Sequence, residues 1–441
     1  MFDVAGKKVV VVGLGLSGIA ACKLLVSRGA HVVGTDTRSA VEPIAGVTLA
    51  LGGHEAAGLP TADLVVVSPG VPMFAELADA EAHGVRIWGE VELAVNLTKP
   101  APVVAIGGTN GKSTTTSLVG ELLLRCLPPH AQRVFVGGNL GEPLAAHADE
   151  PHDAIVLEVS SFQMERVEAF RPKVGVLLNI TPDHLDRYAD EAAYAHAKGN
   201  AFVRQTADDV AVIPADDPIC LAQAKRGGAQ IVTFGPGGDV DVQPDAIYDG
   251  HAVYARSRIA LQGGHNALNV AAALAAVRPF NLDPEIVALV LSTFSGLPHR
   301  MVFVREKDGV RFYDDSKGTN VGASVTAVRG VREDKVVLIA GGRDKGGSYG
   351  PLVDALRERG RAAVLIGEAA SLLAAAIGDA LPVRTAASMV EAVGVAASLA
   401  ESGDAVLLSP ACSSFDMFKD YKARGDAFVD AVMALPDGIT R

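Results

Sequence analysis

The sequence predicts an α/β protein of three domains, each built around a mainly parallel sheet. Its 441 residues suggest about three domains of ordinary size. A run rich in Val or Ile ends in a glycine-containing loop at residues 8–18, 103–114 and 335–342. Uninterrupted apolar runs of this kind are typical of strands buried on both faces, as in parallel sheets covered by helices. Further strand-like runs alternate with helical stretches, which favours three α/β units.

Two turn-rich segments indicate where the domains meet. Residues 96–102 read Asn-Leu-Thr-Lys-Pro-Ala-Pro, and residues 294–298 read Phe-Ser-Gly-Leu-Pro. Each segment precedes a new apolar run, and its proline content favours a connection over a helix or strand. We therefore predict domains over residues 1–96, 97–297 and 298–441.

Charge and composition exclude several classes of protein. Acidic side chains outnumber basic ones by 51 to 39, a formal net charge of −12, so nucleic acid and anionic membrane surfaces are unfavourable partners. No apolar run approaches the roughly 20 residues of a membrane span, and the N-terminus lacks the pattern of a secretion signal. The cysteines are scattered and form no CxxC pair, which favours reduced thiols. We expect a cytoplasmic monomer without membrane insertion.

The most informative motif lies in the second of the three openings. The apolar residues 103–106 are followed by Gly107 and then by Gly-Thr-Asn-Gly-Lys-Ser-Thr. Such a loop presents backbone N–H groups and a helix N-terminus to phosphates, while Lys112 can reach the outer phosphates and a hydroxyl can bind Mg²⁺. Ile106 stands where the standard P-loop has glycine. We predict that the central domain is a P-loop ATPase domain, with ATP bound by Gly108, Thr109, Asn110, Gly111, Lys112, Ser113 and Thr114.

The first opening resembles a dinucleotide-binding fingerprint. Residues 13–18 read Gly-Leu-Gly-Leu-Ser-Gly, and Asp36 follows after a second apolar run. This geometry suits any nucleotide diphosphate, because the anion meets only N–H groups and a helix dipole. The motif alone leaves NAD and a UDP-linked ligand open. It predicts a Rossmann-like N-terminal domain, with Asp36, Thr37, Arg38 and the turn at Ser68 as candidate ligand contacts.

Polar residues also follow several other predicted strands. Glu158 and His184 come at the ends of apolar runs. In P-loop proteins, side chains at such strand ends, carboxylates above all, often bind Mg²⁺. Asn266 and Asn269 lie three residues apart at the start of an alanine-rich helix and share one face, which could contact adenine or cap the helix. Residues 409–418 are predicted to be a strand end followed by a helix start, whose donors would suit a carboxylate.

Together these residues resemble the Mur ligases, the ATP-dependent amino-acid ligases of peptidoglycan precursor synthesis. The shifted P-loop at residues 108–114 has the form that this family uses. Other specific pieces are Leu-Pro-His-Arg at 297–300, Asp-Asp-Ser-Lys-Gly-Thr-Asn at 314–320 and Ser-Pro-Ala-Cys-Ser-Ser-Phe-Asp at 409–416. The resemblance extends from Lys7 to about Phe428. The chain departs from the usual family pattern at 213–217, and the loop at 341–348 varies among relatives, which weakens the assignment of Lys345.

The resemblance implies a role for each matched residue. It implies that the catalytic residues are Lys112, His184 and Lys198. It implies that Mg²⁺ is bound by Ser113, Glu158, His184 and Lys198, with Lys198 carbamylated. Further ATP contacts would be Asn266, Asn269, Arg300, Asp315 and Lys317. The UDP-sugar would contact Leu16, Ser17, Asp36, Thr37, Arg38, Ser68 and Asn139. The amino-acid side would comprise Lys317, Thr319, Lys345, Ser414, Phe415 and Tyr421, in a Rossmann-like C-terminal domain.

Within the family, the resemblance implies the branch that adds D-glutamate to UDP-N-acetylmuramoyl-L-alanine. The substrate carboxylate would attack the γ-phosphate of ATP, and the glutamate amine would then displace phosphate from the acyl phosphate. An NAD-dependent oxidoreductase is one alternative, but it leaves the P-loop unexplained. A folate-tailing ligase would not explain the glycine loop at residues 13–18. A non-catalytic nucleotide-binding regulator would not explain so many polar loops at strand ends.

Overall fold

A computed structural model of the chain describes residues 2–184, 187–344 and 348–436. The first sheet and its helices lie before residue 98: β1 (Lys8–Val12), α1 (Leu16–Ser27), β2 (His31–Asp36), β3 (Val47–Leu51), β4 (Leu64–Val67), α2 (Ala75–Ala82), β5 (Arg86–Gly89) and α3 (Glu90–Leu97). All neighbouring strands are parallel, in the order β3-β2-β1-β4-β5. The valines of β1 are fully buried, as expected for a central strand covered on both faces.

The central sheet begins with the P-loop strand. Its elements are β6 (Val103–Gly107), α4 (Lys112–Cys126), β7 (Val134–Gly138), β8 (Ala154–Glu158), α5 (Ser161–Met164), β9 (Val174–Leu177), α6 (Glu191–Gly199), β10 (Val210–Pro214), α7 (Pro218–Ala224), β11 (Gln230–Gly235), β12 (Val240–Val242), β13 (Ala246–Asp249), β14 (Ala252–Ala255), α8 (Gly264–Val277) and α9 (Pro284–Thr293). The strand order is β14-β13-β12-β11-β10-β9-β6-β8-β7. The sheet is parallel except at its β12-β13-β14 edge, which the sequence did not predict.

The third sheet follows an antiparallel hairpin. Its elements are β15 (Val302–Lys307), β16 (Val310–Asp314), α10 (Val321–Gly330), β17 (Val336–Gly341), α11 (Gly350–Arg359), β18 (Gly360–Ile366), α12 (Ala370–Ile377), β19 (Val383–Thr385), α13 (Met389–Leu399), β20 (Ala405–Leu408) and α14 (Tyr421–Met433). The order is β15-β16-β20-β17-β18-β19, and only the β15-β16 pair is antiparallel among the strands described. The three α/β units predicted from the sequence are confirmed.

The chain forms two compact units by its internal contacts. The first comprises residues 1–180, 192–262 and 266–294, and the second comprises residues 181–191, 263–265 and 295–441. The first two sheets therefore belong to one unit. One apolar core joins them, since Leu24 of α1 and Val91 of α3 belong to the same buried cluster as Val103 of β6 and Ile155 of β8. Within residues 2–184, 187–344 and 348–436, no helix has the length and apolarity needed to cross a membrane.

Candidate active site

The P-loop has the strand, loop and helix arrangement that the sequence predicts. It leaves β6 after Gly107 and enters α4 at Lys112, with Ser113 and Thr114 buried in the first turn. Gly108 and Gly111 have φ angles of 139° and 85°, values that favour glycine. A Cβ on Gly111 would also lie 2.3 Å from Asn269 Oδ1. The loop therefore needs glycine at this position for its backbone and for its close approach to α8.

An asparagine that the sequence argument did not select holds this loop in place. Asn179 Oδ1 accepts a hydrogen bond from the Asn110 N–H at 2.9 Å, and Asn179 Nδ2 donates to the Asn110 carbonyl at 3.0 Å. The Asn179 carbonyl also accepts from the Thr109 N–H at 3.0 Å. Asn179 follows β9, which pairs with β6. The sequence feature that could have identified it is its position at the end of a strand adjacent to the P-loop strand.

Two lysines reach the P-loop from different helices. Lys112 Nζ donates to the carbonyls of Gly108 and Thr109 at 3.0 and 2.8 Å. Lys198 Nζ donates to the same Gly108 carbonyl at 2.8 Å and lies 4.5 Å from the centre of the Tyr194 ring. Lys198 is only 5% exposed. Its sequence context alone would suggest a lysine side chain exposed to solvent. The observed burial contradicts that expectation.

Glu158 and Asn139 form a second polar group in this unit. Glu158 ends β8 and is 3% exposed. Its Oε1 accepts from Asn139 Nδ2 at 2.7 Å, whereas its buried Oε2 has no hydrogen-bond partner among the described residues. A buried carboxylate oxygen left in this way is costly unless a donor or cation occupies the space beside it. This buried carboxylate oxygen is therefore a suitable ligand for Mg²⁺, which prefers hard oxygen ligands.

The two helix amides predicted to contact adenine lie side by side. Asn266 and Asn269 lie in the first turns of α8, as the sequence predicts, and both are buried. Asn269 Nδ2 donates to Asn266 Oδ1 at 3.2 Å, and Asn266 Nδ2 donates to the Gln262 carbonyl at 2.8 Å. With Gly111 directly against Asn269, this pair adjoins the P-loop.

The glycine loop of the first sheet is held by Asp36 and Arg38. Asp36 lies at the end of β2, and its carboxylate accepts from the Leu14 N–H at 2.8 Å. Arg38 donates to both carboxylate oxygens, at 3.0 and 2.8 Å, and to the Leu14 carbonyl at 2.8 Å. These Arg38 hydrogen bonds, more than any other contact, hold the pKa of Asp36 below its usual range. Asp36 therefore shapes the loop and remains charged.

Of the other predicted UDP contacts, four lie in or beside the same loop: Leu16, Ser17, Thr37 and Ser68. Ser68 Oγ donates to the Gly13 carbonyl at 2.6 Å. Leu16 and Ser17 form the first turn of α1, and the Leu16 side chain is 67% exposed. Thr37 is exposed beside Asp36. A Cβ on Gly18 would lie 1.8 Å from the Gly13 carbonyl, so only glycine allows the helix to approach the loop this closely.

The second unit contains a cavity of about 540 Å³. His184 lines it together with Asp183, Asn320, Asp344 and Tyr349. Asn320 Nδ2 donates to Asp183 Oδ2 at 3.2 Å, and the Tyr349 hydroxyl donates to Asp344 Oδ1 at 2.5 Å. His184 has a φ of 56°, an uncommon backbone conformation for a residue other than glycine. The cavity thus combines polar groups with the apolar side chains of Val321 and Val325.

Charged side chains follow β16 in the same unit. Asp315 is 1% exposed, and burial raises its pKa to about 6, although the positive charge of Arg300 opposes this shift. Asp315 Oδ2 accepts from Ser409 Oγ at 2.8 Å. Lys317 Nζ donates to the Tyr421 hydroxyl at 3.3 Å and lies 4.6 Å from the centre of that ring. The Thr319 N–H donates to the Lys317 carbonyl at 2.9 Å, which tightens this loop.

The predicted helix start within residues 409–418 is wrong. β20 ends at Leu408, Ala411 has a φ of 59°, and α14 begins only at Tyr421 with Asp420 as its N-cap. Between them, Ser413 pairs with Arg343 in an isolated bridge, and the N–H groups of Met417 and Phe418 donate to the Ser414 carbonyl in a turn. Ser414 is buried there, whereas Phe415 is 65% exposed. Lys345 lies outside the described residues. The helix after β17 begins only at Gly350, well beyond the strand and glycine turn predicted for residues 335–342.

Comparisons with known proteins cover all three sheets. The model of the MurD-like N-terminal domain of Mur ligases matches residues 7–89. The Mur ligase middle domain matches residues 106–277, and the glutamate ligase domain of Mur ligases matches residues 299–412. Among solved structures, the MurF ligase from Thermotoga maritima in complex with ADP aligns with a TM-score of 0.59 at 18% identity. The alignment covers 97% of this chain and 95% of that one, and it supports the same fold.

Similar sequences extend over the full length. A protein from Geotalea daltonii named UDP-N-acetylmuramoylalanine--D-glutamate ligase is 43% identical, and the alignment covers 100% of both chains. A protein of the same name from Syntrophotalea carbinolica is also 43% identical, with 99% of each chain covered. Identity at this level over whole chains, together with the P-loop and glycine-loop geometry, shows that the chain belongs to the Mur ligase family.

Proposed function

We propose that this chain catalyses the ATP-dependent joining of D-glutamate to UDP-N-acetylmuramoyl-L-alanine during peptidoglycan precursor synthesis. The observation that carries the proposal is the presence of two phosphate-binding loops in one compact unit. The glycine loop at residues 13–18 suits the diphosphate of a UDP-sugar, and the P-loop at residues 108–114 suits ATP. The names of the relatives from Geotalea daltonii and Syntrophotalea carbinolica support the choice of D-glutamate.

The chemistry requires an activated carboxylate. The alanyl carboxylate attacks the γ-phosphate of ATP, which releases ADP and leaves an acyl phosphate. The amine of D-glutamate then attacks the acyl carbon and phosphate departs. Lys112 is placed at the start of α4 to offset negative charge on the transferred phosphoryl group. Asn179 accepts from the N–H groups of Thr109 and Asn110 and so fixes the loop, whose other backbone N–H groups would orient the phosphates before reaction.

Bound Mg²⁺ would neutralise charge on the ATP phosphates. Its proposed ligands are Ser113, Glu158, His184 and Lys198. The buried Glu158 Oε2 supplies a hard oxygen without a hydrogen-bond partner in the described part of the chain. The burial of Lys198 against the P-loop supports its assignment, because a carbamate there would present oxygen atoms instead of an ammonium group.

The remaining assignments of the site extend to both substrates. Proposed ATP contacts are the P-loop residues with Asn266, Asn269, Arg300, Asp315 and Lys317. Proposed UDP-sugar contacts are Leu16, Ser17, Asp36, Thr37, Arg38, Ser68 and Asn139. Proposed D-glutamate contacts are Thr319, Lys345, Ser414, Phe415 and Tyr421.

The domain bounds of this proposal are residues 1–96, 97–297 and 298–441. They enclose the ranges that match the three family models, 7–89, 106–277 and 299–412. We further propose that the protein works as a cytoplasmic monomer. Its four free thiols suit a reducing compartment.

Phosphate release tests the proposed reaction. The protein is incubated with ATP, Mg²⁺ and UDP-N-acetylmuramoyl-L-alanine, and each candidate amino acid is added in turn. We expect sustained release only when D-glutamate completes the mixture. Folded protein that releases no phosphate with all substrates present would refute the function.

A further inference from the structure

The carboxylate of Glu92 joins the first domain to the central domain. Glu92 lies on α3 and is fully buried. Its Oε1 accepts from the Ala169 N–H at 2.9 Å, and its Oε2 accepts from the N–H groups of Glu168 and Phe170 at 3.0 Å each. Asn96 Nδ2 donates a further hydrogen bond to Oε1 at 2.9 Å. Three successive backbone donors converging on one buried charge form a strong, directional attachment.

Neighbouring residues of the first domain contact the same segment. Trp88 Nε1 donates to Glu168 Oε2 at 2.7 Å, and the Gly89 N–H donates to the Arg166 carbonyl at 2.7 Å. The apolar cluster shared by α1, α3, β6 and β8 surrounds this junction. The two domains are thus fixed to each other by packing and by directed hydrogen bonds together.

The attached segment leads directly to the ATP site. Residues 168–170 lie between Glu158, which ends β8, and Asn179, which follows β9 and holds the P-loop at Asn110. On the other side of the junction, α3 follows β5, the neighbour of β4, and Ser68 after β4 contacts the glycine loop. Short segments held by hydrogen bonds therefore connect Glu92 to both phosphate-binding loops.

We propose that Glu92 is a positioning residue that sets the distance between the UDP site of the first domain and the phosphate site of the central domain. The inference rests on the proposed function, in which UDP-N-acetylmuramoyl-L-alanine contacts both the glycine loop of the first domain and Asn139 of the central domain, which donates to Glu158. A ligand that binds two sites gains affinity only when their separation is fixed at the right value. Glu92 should therefore affect the whole substrate far more than UDP or ADP alone.

The test compares Glu92→Gln with the parent protein. Glutamine keeps the size of the side chain but turns one acceptor into an NH₂ group that faces backbone N–H donors. Calorimetry should give UDP and ADP affinities within about twofold of the parent, because each ligand uses one domain. The affinity for UDP-N-acetylmuramoyl-L-alanine and the corresponding kcat/KM should both fall about tenfold or more. Equal losses for UDP and the whole substrate, or no loss for either, would overturn the proposal.

Asp209→Asn is the matched control within the central domain. Asp209 is also buried, at 3% exposure, and accepts from Arg171 Nε and the Thr206 N–H at 2.6 and 2.8 Å. Its variant should leave all three affinities within about twofold, since Asp209 bonds neither Glu92 nor residues 168–170. A selective loss of whole-substrate affinity in this control would also count against a special role for Glu92.

A second variant covers the case in which Glu92→Gln does not fold. Trp88→Phe removes the indole donor to Glu168 and part of the buried ring, and it should give a smaller loss of the same pattern. Whole-substrate affinity that stays at the parent value in Trp88→Phe would then refute the proposal. Parent protein that binds ligands but releases no phosphate would refute the proposed function instead, so the two failures are distinguishable.

Discussion

Lys112 and Lys198 donate hydrogen bonds to the same oxygen, the carbonyl of Gly108. One lysine begins α4 and the other lies near the end of α6, so residues far apart in the chain meet at the first glycine of the P-loop. Two ammonium groups near one buried acceptor repel each other. Reaction of Lys198 with CO₂ would replace its positive charge with an anionic, oxygen-bearing group that suits Mg²⁺. This proximity agrees with our proposal that Lys198 is carbamylated while the ammonium group of Lys112 stays unmodified.

Lys198→Ala tests the anionic role of this side chain. We expect turnover to fall sharply and to recover in part when acetate or another short carboxylate is added, because the added anion can occupy the vacated space. Phosphate release with and without acetate is the measurement. Lys225→Ala, at an exposed lysine after α7, is the control and should keep parent activity without any response to acetate. A Lys198→Ala variant as active as the parent would contradict the assignment.

Lys112→Ala separates phosphate chemistry from UDP-sugar binding. Loss of the cation at the start of α4 should lower turnover by several powers of ten, whereas the glycine loop of the first domain is unchanged. Calorimetry should therefore give a nearly unaltered affinity for UDP-N-acetylmuramoyl-L-alanine. Turnover close to that of the parent would show that another group neutralises the phosphates.

Asp36→Ala should weaken the binding of UDP-N-acetylmuramoyl-L-alanine. The variant removes the acceptor for the Leu14 N–H and the ion-pair partner of Arg38, so the glycine loop loses its support. Asp63→Asn is the control. Asp63 accepts a hydrogen bond from the Lys8 N–H at the start of β1, whereas the glycine loop follows the end of that strand. The parent should show no comparable NAD binding. Tight NAD binding with none to the UDP-sugar would reverse the interpretation of this domain.

Glu90 should make the stability of the first unit depend on pH. Burial raises the pKa of Glu90 to about 7, from 4.5 for an exposed glutamate, although hydrogen bonds from Gln163 and Ala145 oppose the shift. Between these values the folded state holds a proton that the unfolded state has released. The contribution of Glu90 to the free energy of unfolding therefore falls as the pH rises from about 4.5 to about 7 and then levels off.

Glu90→Gln removes this titration while keeping the size of the side chain. Its thermal unfolding midpoint should rise relative to the parent between pH 5 and pH 8, each pKa unit being worth about 1.4 kcal/mol at most. Glu42→Gln, at an exposed glutamate of the same domain, gives the matched comparison. Parallel midpoint curves for Glu90→Gln and the parent would contradict the prediction.

Local patterns predicted the sheets and the loops at their edges. The β1 and β6 runs, followed by glycine loops and helices, have strong local signals, since buried parallel strands and phosphate loops need those residue types. Contacts between distant segments have no comparable local motif in the sequence. Glu92 bonds residues 76 to 78 positions away, and Asn179 holds a loop 69 positions away. The helix predicted to start after β20 does not form there, because Ser413 pairs with Arg343 and the residues after it form turns and bends.

The most direct test of the whole account is the mass of the product formed in a competition between the two forms of glutamate. Equal amounts of unlabelled D-glutamate and ¹³C-labelled L-glutamate are supplied with ATP, Mg²⁺ and UDP-N-acetylmuramoyl-L-alanine. We expect one product whose mass corresponds to the acceptor plus unlabelled glutamate minus water. A product that carries the label, or a folded and nucleotide-binding protein that forms no product, would contradict it.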